Sequence, residues 1–221
     1  MKNKLSWLEA ALLLAPFLAI AALWNKLPAR IPIHWNLRGE VDGWASSKSF
    51  EIFVLPLIAV AVVALLHVLP RLDPKLRAML HESERMRAAV QIISLALAAF
   101  FTAMFSIQIA TALDYPIASG RAMMWCSLVL LAIMGNYLGN LRPNYFVGIR
   151  TPWTLESAAT WRATHRLGGR LMFFGALLFL IAEFFLSESA SVILFVTLVL
   201  LLVVWAFLYS WHHFRKHGAT D

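Results

Sequence analysis

With 221 residues, of which 61% are hydrophobic and only 14% charged, the chain is too apolar for a soluble domain. Its mean hydropathy of +0.72 likewise predicts a protein that is embedded in a membrane. The formal net charge of +7 is not accompanied by a basic helix or a finger pattern. Because neither pattern is present, we do not expect direct nucleic-acid binding. The positive charge indicates basic cytoplasmic loops instead.

Six segments are long and apolar enough to cross a bilayer, which takes about 20 residues in a helix. They run over residues 5–24, 50–69, 88–113, 123–141, 169–186 and 192–211. The first follows Lys2 and Lys4 but ends in Trp24-Asn25-Lys26 rather than in small residues, so a retained span is expected instead of a cleaved signal. Since a backbone in lipid must satisfy its own hydrogen bonds, the predicted fold class is an all-α membrane protein with six transmembrane helices.

The distribution of Lys and Arg predicts the orientation. If the N-terminus is cytoplasmic, fourteen of the 19 basic residues fall in cytoplasmic segments, which predicts that both termini are cytoplasmic. Three parts follow. Residues 1–70 form an N-terminal two-helix membrane unit with an outer loop, residues 71–87 a basic cytoplasmic loop, and residues 88–221 a four-helix membrane domain.

The outer loop after the first span is predicted to be extended. Pro28 and Pro32 disfavour a helix, while Gly39 and Asp42-Gly43 favour turns. A short hairpin is therefore expected, with strands at 31–36 and 41–44. It is either a hydrogen-bonded structural loop or a recognition surface for an extracellular peptide, because aromatic and charged side chains are good binding anchors. The candidate recognition residues are His34, Trp35, Asn36, Gly39, Asp42 and Lys48.

Metal and cofactor binding are not predicted. His34, Glu40 and Asp42 are ligand types, but zinc takes three or four ligands with a supporting second layer, and a second histidine is missing from this loop. No nucleophile–base pair and no glycine-rich phosphate loop is visible in the sequence, so an enzyme is not predicted either.

The inner loop before the fifth span is rich in polar, aromatic and basic residues. Thr151-Pro152 is a helix-start pair, and the pattern predicts an interfacial helix from Trp153 to about Leu167. Its arginines would meet anionic membrane lipids, or the loop would dock a cytoplasmic partner. The candidate signalling residues are Asn144, Gly148, Arg150, Thr151, Pro152, Trp153, Thr154, Trp161, His165 and Arg166.

Two motifs carry a resemblance to a known family. The stretch NYFVGIRTPWTLES at residues 144–157, continued by WRATHR at 161–166, resembles the signature of the SdpI-like family of bacterial integral membrane proteins. The outer segment IPIHWN at 31–36, with Gly39, DGW at 42–44 and Lys48, is similar to the small N-terminal domain of unknown function often fused to that family.

The resemblance implies immunity to, or sensing of, a secreted antimicrobial peptide toxin at the bacterial cytoplasmic (inner) membrane. It also implies signalling to a cytoplasmic transcriptional regulator that is held at the membrane. The outer loop would meet the toxin, and the inner loop would pass the signal on. The alternative is a small transporter or lipid-handling membrane protein, which a central cavity lined by Gln108, Asn136 and Glu183 would support.

Overall fold

The computed structural model of the protein describes residues 2–72 and 74–218, with side chains for residues 7–72 and 76–218. The side chains of Lys2, Lys4 and Lys75, which enter the charge count above, lie outside this part. The elements are α1 (Lys2–Leu23), β1 (Arg30–Trp35), β2 (Val41–Ser46), α2 (Glu51–Leu72), α3 (Pro74–Glu82), α4 (Glu84–Ala112), α5 (Ser119–Leu138), α6 (Pro152–Glu156), α7 (Ala158–Ala182) and α8 (Glu188–His217).

Long apolar helices dominate the fold, which confirms an all-α membrane protein. Five helices, α2, α4, α5, α7 and α8, are long and apolar enough to cross a membrane, and α1 contributes the shorter apolar stretch Trp7–Leu23. Large apolar side chains point outward along α8, among them Leu200, Leu201, Val203 and Val204. Such an outward face suits lipid, because hydrocarbon chains solvate it as well as a protein core would.

A close approach between two helices joins α5 to α7 through two glycines. A Cβ atom at Gly135 would lie 2.6 Å from the backbone N of Phe173 and 2.8 Å from the carbonyl oxygen of Gly169. Both glycines are buried. Small residues let helix backbones touch where the hydrophobic effect cannot hold helices together, so this contact fixes α7 against α5.

The extended loop after α1 is an antiparallel hairpin of β1 and β2, in the region where the sequence predicts one. The register pairs Ile31 with Ala45 and becomes irregular around His34. The turn reverses at Gly39, whose φ of +73° is in the left-handed region that glycine adopts readily.

The hairpin lies across one end of the helix bundle, which we call the hairpin end. Ile31 is fully buried in a cluster with Ile20, Ile52 and Phe105 from α1, α2 and α4. The Trp35 Nε1–H donates to Ser119 Oγ at the start of α5, at 2.8 Å. The hairpin therefore connects the N-terminal two-helix unit to the C-terminal helices.

The opposite end of the bundle, the motif end, carries the loop from Gly139 to Ser157. Here the helix predicted from Trp153 to Leu167 is wrong as a single unit, because the structure divides it. α6 ends at Glu156, Ser157 has extended backbone angles and caps a second helix, and α7 then runs without a break to Ala182. Trp161 and His165 therefore belong to a membrane-length helix, where both are fully buried.

Candidate functional site

A cavity of about 490 Å³ lies between the hairpin and the ends of α5, α7 and α8, and we call it the hairpin cavity. It is lined by His34, Trp35, Asn36, Leu37, Gly39, Asp42, Gly120, Arg121, Met123, Met124, Ser127, Glu183, Glu188, Ser191, Val192 and Phe195. Five of the six predicted recognition residues of the outer loop are in this set. Lys48 is not, since it reaches the Trp24 carbonyl and lies 4.2 Å from the centre of the Trp24 ring.

The turn of the hairpin is preorganised by Asn36. Its side-chain oxygen accepts from the backbone N–H groups of Arg38 and Glu40, at 2.8 and 3.2 Å, and its amide donates to the Glu40 carboxylate. Polar side chains that bond to nearby backbone groups stabilise such turns. The tip of the hairpin then packs on the helix ends, where Gly39 and Gly120 bring two backbones together beside Glu188.

The cavity combines charges of both signs with apolar walls. His34 Nδ1 lies 2.5 Å from Asp42 Oδ1, and this pair is on the exposed side. Glu183 and Arg121 come from α7 and α5, and the Arg121 Nη2–H donates to the Leu186 carbonyl at 3.0 Å. Glu183 lies near the end of the fifth predicted span, and the structure leaves only 1% of it exposed.

Sequence reasoning missed Arg121, Glu188 and Ser191 as members of this site. They lie on helices far along the chain from the IPIHWN segment, and each falls in an ordinary helix-end position. The sequence offered one signal for this cavity, an acidic residue near the end of an apolar span, and that residue is Glu183.

The motif end is held by a network of hydrogen bonds that includes most of the predicted signalling residues. Asn144 Nδ2 donates to the carbonyls of Arg142 and Val147, each at 2.9 Å, and Asn144 Oδ1 accepts from the backbone N–H groups of Phe146 and Val147. A single asparagine thus closes the turn that begins the motif. Such local bonding explains why this residue type stands at the start of the loop.

His165 fastens the middle of the motif to α7. Its Nε2 accepts from the Ile149 N–H at 2.9 Å, while its Nδ1 lies 2.9 Å from the Trp161 carbonyl oxygen. Because a carbonyl can only accept and a backbone N–H can only donate, the ring is neutral with its proton on Nδ1. The imidazole also stacks on the Trp161 indole, with ring centres 3.9 Å apart.

The end of the motif is tied to α8. Thr151 caps α6 as its sequence position predicts, and it forms a reciprocal capping box with Thr154. The Thr151 hydroxyl also donates to Ser210 Oγ of α8 at 2.9 Å. Trp153, in the first turn of α6, meets Phe207 edge to face, with ring centres 4.7 Å apart. These threonines are therefore buried structural groups, which a partner cannot touch directly.

Several arginine side chains are accessible at the motif end. Arg162, Arg166 and Arg170 follow one another at four-residue intervals along α7 and are exposed. With Arg85 and Arg142 they border a cavity of about 920 Å³. Arg150 is also exposed, and its Nη1–H donates to the Tyr145 carbonyl at 2.7 Å. Arginine guanidinium groups bind carboxylates and phosphates, so this face can take an anionic partner.

The residues that would line a central transport cavity are not together. The Gln108 side-chain amide donates to the Pro32 carbonyl under the hairpin, at 2.8 Å. Glu183 faces the hairpin cavity, and Asn136 lies beside the arginine cavity at the motif end. The bundle therefore separates the three polar groups whose convergence would favour a transporter.

Comparison with known proteins agrees with both sequence motifs. Residues 140–210 match the SdpI/YfhL protein family, and residues 11–60 match the domain of unknown function DUF1648. The chain is 28% identical over 202 residues to the immunity protein SdpI of Bacillus subtilis (strain 168). The aligned region covers 90% of this chain and 91% of that protein. No solved structure gives a significant match. The chain is therefore a membrane protein that is similar to SdpI along nearly its whole length, with a match to the SdpI/YfhL family that follows a match to DUF1648.

Proposed function

We propose that this protein confers immunity to a secreted antimicrobial peptide toxin, or senses it, and that the hairpin cavity is where the toxin is met. The main support is the similarity to an immunity protein along nearly the whole chain. The cavity adds a physical reason, because the hairpin residues that resemble the family motif converge there on side chains from three helices. A concave site with apolar walls and a few polar groups is typical of ligand recognition.

The proposed placement is the bacterial cytoplasmic membrane, with six spans and both termini in the cytoplasm. The 22 residues of α1 would reach about 33 Å, enough for a hydrocarbon core of about 30 Å. The hairpin end would then face outward and the motif end inward, where its arginines would meet anionic membrane lipids.

The proposed signalling route runs along α5, α7 and α8. Each of these helices has one end at the hairpin cavity and the other at the motif end. A toxin that binds one arrangement of these helices better than another would shift the population toward it. The exposed arginines would then present a changed surface to a cytoplasmic transcriptional regulator, while His165, Trp161 and Thr154 hold the loop in shape.

Expression of the protein in a sensitive bacterium should restore survival under an SdpC-type peptide toxin. Membrane depolarisation, read with a potential-sensitive dye, should fall together with killing. Asp42→Ala should weaken protection because it removes a charged group from the cavity rim and leaves His34 without its partner. Glu156→Ala is the matched control, since it removes an exposed carboxylate at the motif end. Equal survival with and without the wild-type protein, at confirmed membrane insertion, would contradict the proposed immunity.

Regulator docking should depend on exposed arginines of the motif end. In cells that contain a fluorescently tagged candidate regulator, toxin should move the label to the membrane. The double substitution of Arg150→Ala with Arg166→Ala should abolish that movement but leave survival unchanged, because neither residue lines the hairpin cavity. The double substitution of Arg215→Ala with Lys216→Ala, two exposed basic residues in the last turn of α8, serves as the charge-matched control. Movement that persists in the double variant would rule out this docking face.

A further inference from the structure

Several buried polar atoms of the hairpin cavity have no partner within the protein. Among the described side chains, Glu183 Oε1, Arg121 Nε and Ser191 Oγ are buried without a hydrogen bond, and all three residues line this cavity. Glu183 and Ser191 are 1% and 2% exposed. Buried polar groups are nearly always paired, because an unpaired one gives up its hydrogen bonds to water without a replacement. The two acceptors among them, Glu183 Oε1 and Ser191 Oγ, indicate a site that is completed by a bound donor, whereas Arg121 Nε is itself a donor and is not satisfied by such a ligand.

These groups are held in place by the helices that carry them. The Glu183 backbone N–H donates to the Phe179 carbonyl at 2.9 Å and so ends α7. Arg121 is fixed through its Nη2 bond to Leu186, which leaves Nε directed elsewhere. Ser191 lies in the first turn of α8, whose start is capped by Ser187. A preorganised set of this kind favours binding, since less side-chain freedom is lost on association.

The charge of the cavity favours a cation. Asp42 is paired with His34, so Glu183 and Glu188 remain as two carboxylates beside one arginine. The carboxylates are not arranged as a metal cage, because the described His, Cys, Asp and Glu residues form no group of three or more that could hold a metal ion. An organic cation, which needs fewer ligands than a metal, therefore fits this side of the cavity.

The remaining walls are apolar. Met123, Met124, Val192 and Phe195 line the cavity next to the polar groups. Methionine side chains adapt their shape to different apolar ligands. A ligand that satisfies both parts of the cavity carries a positive group at one end and a short apolar stem behind it.

We propose that the hairpin cavity binds a primary ammonium group on an apolar stem, with Glu183 as its counter-ion. An ammonium group is compact and has three N–H donors, which match the acceptors Glu183 Oε1, Ser191 Oγ and the Glu188 carboxylate. The proposed function supplies the source of this group, a secreted peptide that offers either its N-terminal amine or a lysine side chain. The inference rests on the proposed function for that source alone, because ammonium binding is a property of the cavity.

The test uses the full-length protein in lipid nanodiscs and three probes with the same stem, hexylamine, hexanol and hexanoate. Hexylamine should raise the thermal unfolding midpoint saturably and more than hexanol, because a ligand stabilises the state that binds it. Hexanoate should have no such effect. Glu183→Gln should weaken hexylamine binding at least about tenfold, the loss expected for one hydrogen bond to a charged group. Glu156→Gln should leave it unchanged, and Ser191→Ala, a smaller change, should weaken it in the same direction.

Equal effects of hexylamine and hexanol on the wild-type protein would overturn the proposal, as would hexylamine binding that ignores Glu183→Gln. Survival under toxin separates this result from the proposed function. Protection without selective hexylamine binding would remove the ammonium site and leave immunity standing. Selective hexylamine binding that depends on Glu183, without protection, would confirm the ammonium site and contradict the proposed immunity. Acetylating the toxin N-terminus, and separately its lysines, then shows which amine is bound. Binding that survives acetylation of all amines together would overturn the proposal.

Discussion

Replacement of Gly148 with alanine should destabilise the protein by about 3 kcal/mol and loosen the whole motif end. Gly148 has a φ of +124°, a conformation that is strained for any residue with a side chain and costs on the order of 1–3 kcal/mol. Space is also missing, because the new Cβ would collide with His165 Nε2 and lie 3.1 Å from the Trp161 ring. The alanine would therefore break the Ile149–His165 hydrogen bond, whose nitrogen it displaces.

The thermal unfolding midpoint in nanodiscs measures this effect. Gly139→Ala is the matched control, because a Cβ there would lie 3.6 Å from Arg166 Cγ, an ordinary contact, and Gly139 has a helical φ of −66°. We expect a lower midpoint for Gly148→Ala and one close to wild type for Gly139→Ala. Equal midpoints for the two variants would show that His165 and the 148–150 backbone do not form the rigid contact described above.

Local backbone chemistry made two parts of the fold predictable from the sequence. Pro28, Pro32 and the glycines after them restrict the backbone so strongly that a hairpin is the simple outcome. Thr151-Pro152 marks a helix start for the same reason, and the structure places α6 there. The long apolar runs give their helices because lipid leaves the backbone no other partner.

The burial of Trp161 and His165 could not be read from the sequence. Spacing of four residues shows that two side chains share a helix face, but it does not show what covers that face. Here the cover is the Val147–Ile149 segment, folded back by Asn144 and tied to His165. The grouping of Glu183 with Arg121 was hidden for a similar reason, since it depends on how α7 packs against α5 rather than on either helix alone.

Replacement of Gly120 with alanine should separate the hairpin tip from α5 and abolish ligand recognition in the hairpin cavity. A Cβ at Gly120 would lie 2.7 Å from Gly39 Cα and 2.6 Å from a Glu188 carboxylate oxygen. The glutamate side chain can rotate away, but the Gly39 backbone moves only if the hairpin moves with it. The shift would break the Trp35–Ser119 hydrogen bond, at a cost of about 1 kcal/mol.

Stability and recognition should therefore respond differently in this variant. The base of the hairpin remains anchored by buried Ile31 and by the Gln108 bond to Pro32, so the unfolding midpoint should fall only slightly. Survival under toxin should drop to that of cells without the protein, because the hairpin residues no longer face Glu183 across the cavity. Gly175→Ala is the matched control, since a Cβ there meets only Leu198 Cδ1 at 3.8 Å.

The Gly120 result decides between the two roles that the sequence leaves open for the hairpin. A purely structural hairpin, whose task is to hold α1 and α2 against α4, keeps its anchoring contacts at Ile31 and Pro32 in Gly120→Ala, so protection would persist. A recognition hairpin needs its tip seated on α5 and α8, because Gly39 and Asp42 line the cavity together with Arg121. Loss of protection with an almost unchanged midpoint is therefore the outcome expected for recognition, and full protection at the same expression level would assign the hairpin a structural role only.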